Sequence, residues 1–241
     1  MGRLFLAELK KLRSLNIWWL VIAGGILPGI ITYLSLYSQN GLEWLGLTNM
    51  SLHAFNIQSL LTFASFTTYV WAREYEENTL ELVLCYPYPR FCLILNKLII
   101  LFLVIVFTSA FFFCTTLTIG RIVFSSMISQ KLLWKLMNAL LHMSIMHFLL
   151  VPMYLCIAMV TKASISGLII GIANMCICLA LSHTSFIQYI PQCLPYVIGD
   201  KLMGINSMVV DNSLWVYYSI LAVTFILSLA ITKVLADRMK K

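Results

Sequence analysis

Residues 98–120 read LIILFLVIVFTSAFFFCTTLTIG, and this run contains no charged side chain. An apolar helix of about twenty residues is long enough to cross the roughly 30 Å hydrocarbon core of a bilayer. Soluble globular proteins have helices that average only about 11–12 residues. The run therefore predicts a membrane-spanning helix.

Five further segments have the same apolar character and similar length, and they lie before and after residues 98–120 in the sequence. They cover residues 17–37, 52–72, 136–160, 163–182 and 214–235. The chain as a whole is 61% hydrophobic and only 10% charged, whereas about a quarter of the residues in a soluble domain are charged. We expect an all-α polytopic membrane protein with six transmembrane helices, forming one transmembrane domain over residues 1–241.

The basic residues sit mostly at the ends of these segments, where positive charge orients helices in a membrane. The net charge of +7 therefore does not indicate a nucleic-acid partner. If the N-terminus is cytoplasmic, twelve of the sixteen Lys and Arg residues fall on the cytoplasmic side. An even number of spans then places both termini in the cytoplasm.

Two segments outside the spans have unusual composition. Residues 1–16 place apolar and basic side chains on opposite helical faces, which predicts a helix lying in the cytoplasmic membrane interface. The outer segment 183–213 is strongly apolar, but Pro191 and Pro195 interrupt it. Two short re-entrant helices would suit this segment, provided that protein covers their broken backbone.

The cytoplasmic loop 73–90 reads REYEENTLELVLCYPYPR. Glu74, Glu77 and Glu81 are spaced to share one helical face, and a leucine-rich stripe would occupy another. Pro87 would end such a helix. The pattern favours an amphipathic helix that docks on a partner, and the alternative is a solvated loop that only connects two spans.

This loop resembles the cytoplasmic loop of type-2 ABC-exporter permeases, the six-span family that includes lantibiotic and bacitracin-type immunity or drug efflux permeases. The resemblance is carried by R-E-x-E-x-x-T-L-E, by P-x-P-R and by Lys97. One departure is Asn78, where many relatives have glycine. In that family, the loop after the second span is the coupling helix, which seats in a groove of the ATPase.

The resemblance implies that the loop residues contact or shape the ATPase-facing surface, and that Arg90 and Lys97 anchor the loop to lipid phosphates. The implied coupling residues are Arg73, Glu74, Glu76, Glu77, Thr79, Leu80, Glu81, Pro87 and Arg90.

No phosphate-binding G-x-x-x-x-G-K-[ST] motif occurs in the chain. We therefore expect no cofactor on this chain, with ATP and Mg bound by a partner ATPase. We also expect no metal site, because His142 and His147 lie about 140° apart on a helix. The seven scattered cysteines indicate neither a zinc site nor a disulfide framework.

Small residues recur at intervals of four in the first and fifth spans, at Gly25 and Gly29 and at Gly167 and Gly171. Such spacing lets helices approach closely, either within one subunit or between subunits. Because the first and fifth spans meet at the dimer interface in the resembled family, the resemblance implies that these glycines form a subunit interface.

Isolated polar residues within the spans could line a substrate path or could tie helices together. These residues are Asn56, Gln58, Thr62 and Asn174. Carboxylates are nearly absent from the spans, which argues against a proton- or sodium-driven carrier.

We expect a permease subunit rather than an enzyme, located in the bacterial cytoplasmic membrane. Its expected partners are ABC ATPase subunits, a second permease copy or a homologous permease, and membrane lipids. The resemblance further implies export of an antimicrobial peptide, antibiotic or other amphipathic substrate. The alternatives are a membrane-embedded enzyme or regulator without transport activity, and a secondary carrier.

Overall fold

The computed structural model describes residues 10, 18–36, 43–79, 89–204 and 213–238, and within these ranges the chain is helical without β-strands. From residue 18 onward, the α-helices of these described ranges are α1 (Trp18–Leu36), α2 (Trp44–Glu76), α3 (Arg90–Val123), α4 (Gln130–Thr161), α5 (Ile165–Leu181), α6 (Leu194–Met203) and α7 (Leu214–Arg238). Two short 3-10 helices, Ser185–Tyr189 and Pro191–Cys193, precede α6.

Each of the six predicted spans coincides with one of the long helices. By length and apolar composition, three helices could cross a membrane, namely Phe91–Val123, Gln130–Thr161 and Leu214–Arg238, while Val21–Ser35 and Ile165–Leu181 are shorter apolar helices. The chain is therefore a polytopic membrane protein, and its six-span topology stays a prediction. The predicted interfacial helix at residues 1–16 lies outside the described residues, apart from Lys10.

Helix α2 is the central helix, and it packs against α1, α3, α4, α5 and α6. Much of its buried surface carries hydroxyl groups, which bond to backbone carbonyls one turn earlier. Thr68, for example, donates to the Ala64 carbonyl at 2.9 Å. The serines and threonines between Thr48 and Thr68 are buried in the bundle.

The lipid-facing helices have the opposite character. In the most apolar 18-residue stretch of α7, only 22% of the residues are buried inside the protein, compared with 61% in the corresponding stretch of α4. Large apolar side chains on α7 stay exposed, including Ile226, which is 64% exposed. Exposed apolar surface of this extent on a polytopic protein is suited to contact with lipid.

The described part of the connection between α5 and α7, up to residue 204, folds into the bundle. Its apolar residues, including Leu194 and Ile198, pack in one core cluster with Leu150 of α4 and Leu221 of α7. Protein therefore covers the broken backbone, as the sequence required. Among the described residues of the predicted re-entrant segment, two short 3-10 helices precede one α-helix of ten residues, and the re-entrant placement stays a prediction.

Candidate functional site at the carboxyl end of α2 and in the polar interior

Helix α2 ends at Glu76, inside the segment that was predicted to begin a docking helix. Asn78 has a φ of 55°, its N–H donates to the Tyr75 carbonyl, and the Thr79 N–H donates to the Glu74 carbonyl. This pair of bonds around a left-handed residue terminates a helix. Asparagine tolerates such a backbone better than most residues do.

The helix end changes the predicted acidic face. Glu74 lies in the last turn of α2, and Glu77 is the residue that follows the helix. The chain leaves helical geometry at Asn78. The prediction that Glu74, Glu77 and Glu81 share the face of one continuous helix is therefore wrong. Glu77 remains 43% exposed and accepts a bond from Arg73 Nε at 2.6 Å.

Glu74 points inward and forms an ion pair with Lys97 of α3. The Lys97 ammonium lies 2.8 Å from Glu74 Oε1, and both side chains are only 2% exposed. The same ammonium donates to the Val70 carbonyl at 3.0 Å and lies 4.8 Å from the centre of the Trp71 ring. Lys97 is therefore paired inside the protein and is not free to bind lipid phosphates as expected. Glu74 presents no exposed carboxylate to a partner, and its expected role in shaping the ATPase-facing surface stays a prediction. Each of the two buried charges is stabilised by the other, because an unpaired charge in the interior would be strongly destabilising.

Glu76 joins the same helix end to the start of α5. Its Oε1 accepts a hydrogen bond from the backbone N–H of Ser164 at 2.7 Å, just before α5 begins at Ile165. Lys162, in the turn between α4 and α5, lies 5.5 Å from the centre of the Tyr75 ring. The end of α2 is thus tied to α3 through Glu74 and to the α4–α5 turn through Glu76.

The remaining predicted coupling residues are partly outside the described ranges. Thr79 is half-buried, and its hydroxyl has no hydrogen-bond partner among the described residues. Arg90 begins α3. Leu80, Glu81 and Pro87 lie outside the described residues, so their predicted role stays a prediction.

The predicted substrate-path residues divide into two groups. Thr62 donates to the Gln58 carbonyl at 3.0 Å, and Asn174 Nδ2 donates to the Tyr154 hydroxyl at 3.2 Å. Asn56 is 1% exposed, yet neither polar atom of its amide has a partner among the described residues. Thr62 and Asn174 thus have structural partners, while Asn56 has unused hydrogen-bonding capacity.

A buried carboxylate near Asn56 was missed by the sequence reasoning. Asp200 of α6 is 2% exposed, and its Oδ2 lies 3.8 Å from His53 Nε2 of α2. Burial raises the pKa of Asp200 to about 6, while His53 and a hydrogen bond from Tyr196 oppose that shift. A β-carbon on Gly199 would lie 2.9 Å from Asn56 Nδ2, so the peptide before Asp200 adjoins the unpaired amide.

A signal for this group was present, because Asp200 is an acid in a segment otherwise dominated by apolar residues. An acid in an outer connection is expected to be solvated, whereas folding buries Asp200 close to His53 of α2. The near-absence of carboxylates from the spans therefore does not exclude a buried acid within the bundle.

The two histidines of α4 hold helices together. His147 Nε2 lies 2.9 Å from Ser59 Oγ of α2, and His142 is hydrogen-bonded to Tyr218 of α7. In the described part of the chain, no three His, Cys, Asp or Glu residues are grouped closely enough to hold a metal ion.

The two glycines of α1 pack against α3 of the same chain. A β-carbon on Gly25 would lie 2.6 Å from Phe111 Cβ, and one on Gly29 would lie 2.9 Å from Ile119 Cδ1. No room remains beside either glycine for a second subunit.

The two glycines of α5 pack equally closely against α2. A β-carbon on Gly167 would clash with the Thr68 hydroxyl and lie 2.8 Å from the Ala64 carbonyl oxygen, and one on Gly171 would lie 2.9 Å from Leu61 Cα. The prediction that these glycines form the subunit interface is corrected accordingly. Packing within one subunit, the alternative, accounts for all four.

Comparison with known proteins agrees with this architecture. The family model described as ABC-2 family transporter protein matches residues 4–178, which include α1 to α4, most of α5 and the cytoplasmic loop. No curated protein matches the chain. Because the match covers well over half of the sequence, this chain belongs to the ABC-2 family of membrane transporter proteins.

Proposed function

We propose that this chain is the membrane-spanning permease subunit of an ATP-driven ABC exporter. Family membership implies a transport subunit whose ATPase is a separate subunit. The observation that carries the proposal is the set of contacts at the cytoplasmic end of α2. Glu74 joins the entrance of the predicted coupling loop to α3, and Glu76 joins it to α5.

These contacts suggest how force would enter the bundle. A coupling loop pushed by the ATPase would act on α2 and α3, the helices that flank it. Because a buried ion pair resists separation of its partners, α2 and α3 would move together near Lys97. The Glu76 contact would carry the same motion to α5. Alternating access would follow from rocking of this helix group against the rest of the bundle.

The proposed assembly contains two permease subunits clamped to two ATPase subunits in the bacterial cytoplasmic membrane, with both permease termini in the cytoplasm. The exposed side of α5, which includes Ile169 and Ile172, is available for a partner subunit. The exposed side of α1, including Ile31 and Leu34, is available in the same way. These faces are opposite to the glycines that contact α2 and α3.

The proposed substrate is amphipathic, such as an antimicrobial peptide or a membrane-targeting antibiotic, and its export would protect the cell. The family resemblance supports this class. The interior is consistent with it, because Asn56 supplies unpaired hydrogen-bonding atoms beside apolar neighbours.

A secondary carrier is the second candidate, because the Asp200 carboxyl is buried inside the bundle with its Oδ2 3.8 Å from His53 Nε2. Such pairs commonly mark proton pathways in membrane proteins. Uptake of substrate into inverted vesicles distinguishes the two functions. An exporter requires its ATPase and ATP, whereas a proton-driven carrier works without ATP when a proton gradient is imposed.

Charge reversal at Glu77 tests the coupling assignment. Glu77 is exposed beside the loop, so Glu77→Lys should leave insertion intact while placing a cation against a groove that accepts a carboxylate. Like-charge contacts disfavour association, and we expect recovery of the ATPase in co-purification to fall several-fold.

Asp237→Lys is the matched control, because Asp237 is an exposed carboxylate on the last turn of α7 and not on the helix that leads into the loop. It makes the same charge change and should not reduce recovery of the ATPase. Equal recovery with wild type and both variants would refute the docking role of Glu77.

A further inference from the structure

A cavity lies at the end of the bundle opposite to the coupling loop, between the start of α2 and the α3–α4 turn. Its volume is about 540 Å³, and its apolar wall includes Trp44, Leu45, Phe124 and Met127. Two lysines, Lys131 and Lys135, also line it. Since they are four residues apart on α4, their side chains project from the same helical face.

The wall of this cavity is held in place by its own contacts. Trp44 Nε1 donates to the Ser126 carbonyl at 2.9 Å, and the Trp44 and Phe124 ring centres are 5.6 Å apart. The Trp44 ring also lies against Gly120, where a β-carbon would clash with it. The cavity is therefore shaped before any ligand arrives.

Neither lysine has an ion-pair partner among the residues that the structure describes. The ion pairs within the described ranges join His53 to Asp200, Arg73 to Glu77 and Lys97 to Glu74, and none involves Lys131 or Lys135. One acid, Glu43, lines the same cavity. Two lysines and one glutamate leave a net charge of about +1, which matches the single negative charge of a phosphodiester.

Aromatic residues place this end at the depth of lipid headgroups. Trp134 is 57% exposed, and Trp215 at the start of α7 is 83% exposed. Exposed tryptophans are concentrated where the membrane meets water. A ligand in the cavity would therefore have headgroup surroundings beside the lysines and acyl-chain surroundings beside the apolar wall.

We propose that this cavity binds the phosphodiester of a membrane phospholipid with net negative charge. Lys131 and Lys135 contact the phosphate oxygens, and the wall around Trp44 and Leu45 accepts the glycerol and the first part of an acyl chain. Two ammonium groups side by side are suited to a phosphate, whose oxygens accept charge-assisted hydrogen bonds. Glu43 disfavours ions of higher negative charge, such as inorganic phosphate.

Lysine footprinting tests this site directly on the full-length protein. Purified protein in nonionic detergent is acylated with an amine-reactive ester, with and without phosphatidylglycerol in mixed micelles, and peptides are quantified by mass spectrometry. Phosphatidylglycerol should slow acylation of Lys131 and Lys135 several-fold and leave Lys162, at the opposite end, unchanged. Equal protection by phosphatidylcholine or by inorganic phosphate would overturn the proposal, as would no protection at all.

A thermal measurement supplies the matched variants. Phosphatidylglycerol should raise the unfolding temperature of wild type, since a ligand that binds the folded state stabilises it. The double variant Lys131→Gln/Lys135→Gln should lose this rise. Arg121→Gln removes one positive charge at the same end of the bundle but outside the cavity, and this variant should keep the rise in unfolding temperature. If the rise is lost in Arg121→Gln as well, the lipid is attracted by diffuse charge and not by a site.

Discussion

At the residue scale, the buried pair of Glu74 and Lys97 yields a sharp expectation. Lys97→Met leaves the Glu74 carboxylate 2% exposed without its cation. Breaking one partner of a buried ion pair costs about 3–5 kcal/mol. We expect a clear fall in the unfolding temperature of the purified subunit in detergent.

The double variant Glu74→Gln/Lys97→Met separates ion pairing from simple loss of the lysine. Replacing both charges removes the isolated carboxylate, so the double variant should be more stable than Lys97→Met alone. If the double variant instead loses as much stability as Glu74→Gln and Lys97→Met lose together, the two residues act independently.

Asp200 gives a pH-dependent expectation at the same scale. Its pKa is raised to about 6 from an ordinary 3.8 because burial disfavours the carboxylate. The folded state therefore holds the proton more tightly than the unfolded state, and the associated stability is lost as pH rises through about 6. Asp200→Asn, which stays neutral, should equal or exceed wild type in stability at pH 8.

The comparison of unfolding temperatures at pH 5 and pH 8 checks this expectation. The advantage of Asp200→Asn over wild type should be larger at pH 8, where the wild-type carboxyl is ionised in the interior. A larger advantage at pH 5 would mean that the charge pair with His53 outweighs burial.

At the element scale, the end of α2 shows which features the sequence revealed. The spacing of the glutamates and leucines predicted a helix through the loop, with Pro87 as its end. Helix caps depend on backbone geometry at one or two residues. Asn78 tolerates a left-handed backbone and has a φ of 55°, so it was the sign in the sequence that a helix can stop there.

The polarity of α2 shows a second difference of the same kind. Apolar composition located the lipid-facing helices well, because lipid imposes a continuous apolar surface. A helix surrounded by other helices is free of that requirement, and α2 carries buried residues such as Ser59 and Thr68. The sequence predicted its position as a span but not its central place or the neighbours that satisfy its polar groups.

At the scale of the whole molecule, the sequence located all six long helices but not how they associate. Small residues four apart predict a close approach of helices without naming the partner helix. Gly167 illustrates this limit, since its partner is Thr68 of α2 in the same chain. Folding of α6 against α2, which buries Asp200, is likewise a long-range contact that no local pattern specifies.

Two substitutions on opposite sides of α5 separate subunit folding from subunit association. Gly167→Leu adds bulk where even a β-carbon clashes with Thr68, so the isolated subunit should lose stability. Ala173 lies on the exposed side of α5, so Ala173→Trp should leave the subunit folded. If this side contacts a second permease, added bulk there should reduce dimer recovered by crosslinking in detergent.

Two measurements on the same variants check this expectation. The unfolding temperature should fall only for Gly167→Leu, and the dimer fraction of folded protein should fall only for Ala173→Trp. A folded Gly167→Leu subunit that no longer dimerises would restore the glycine face as the interface.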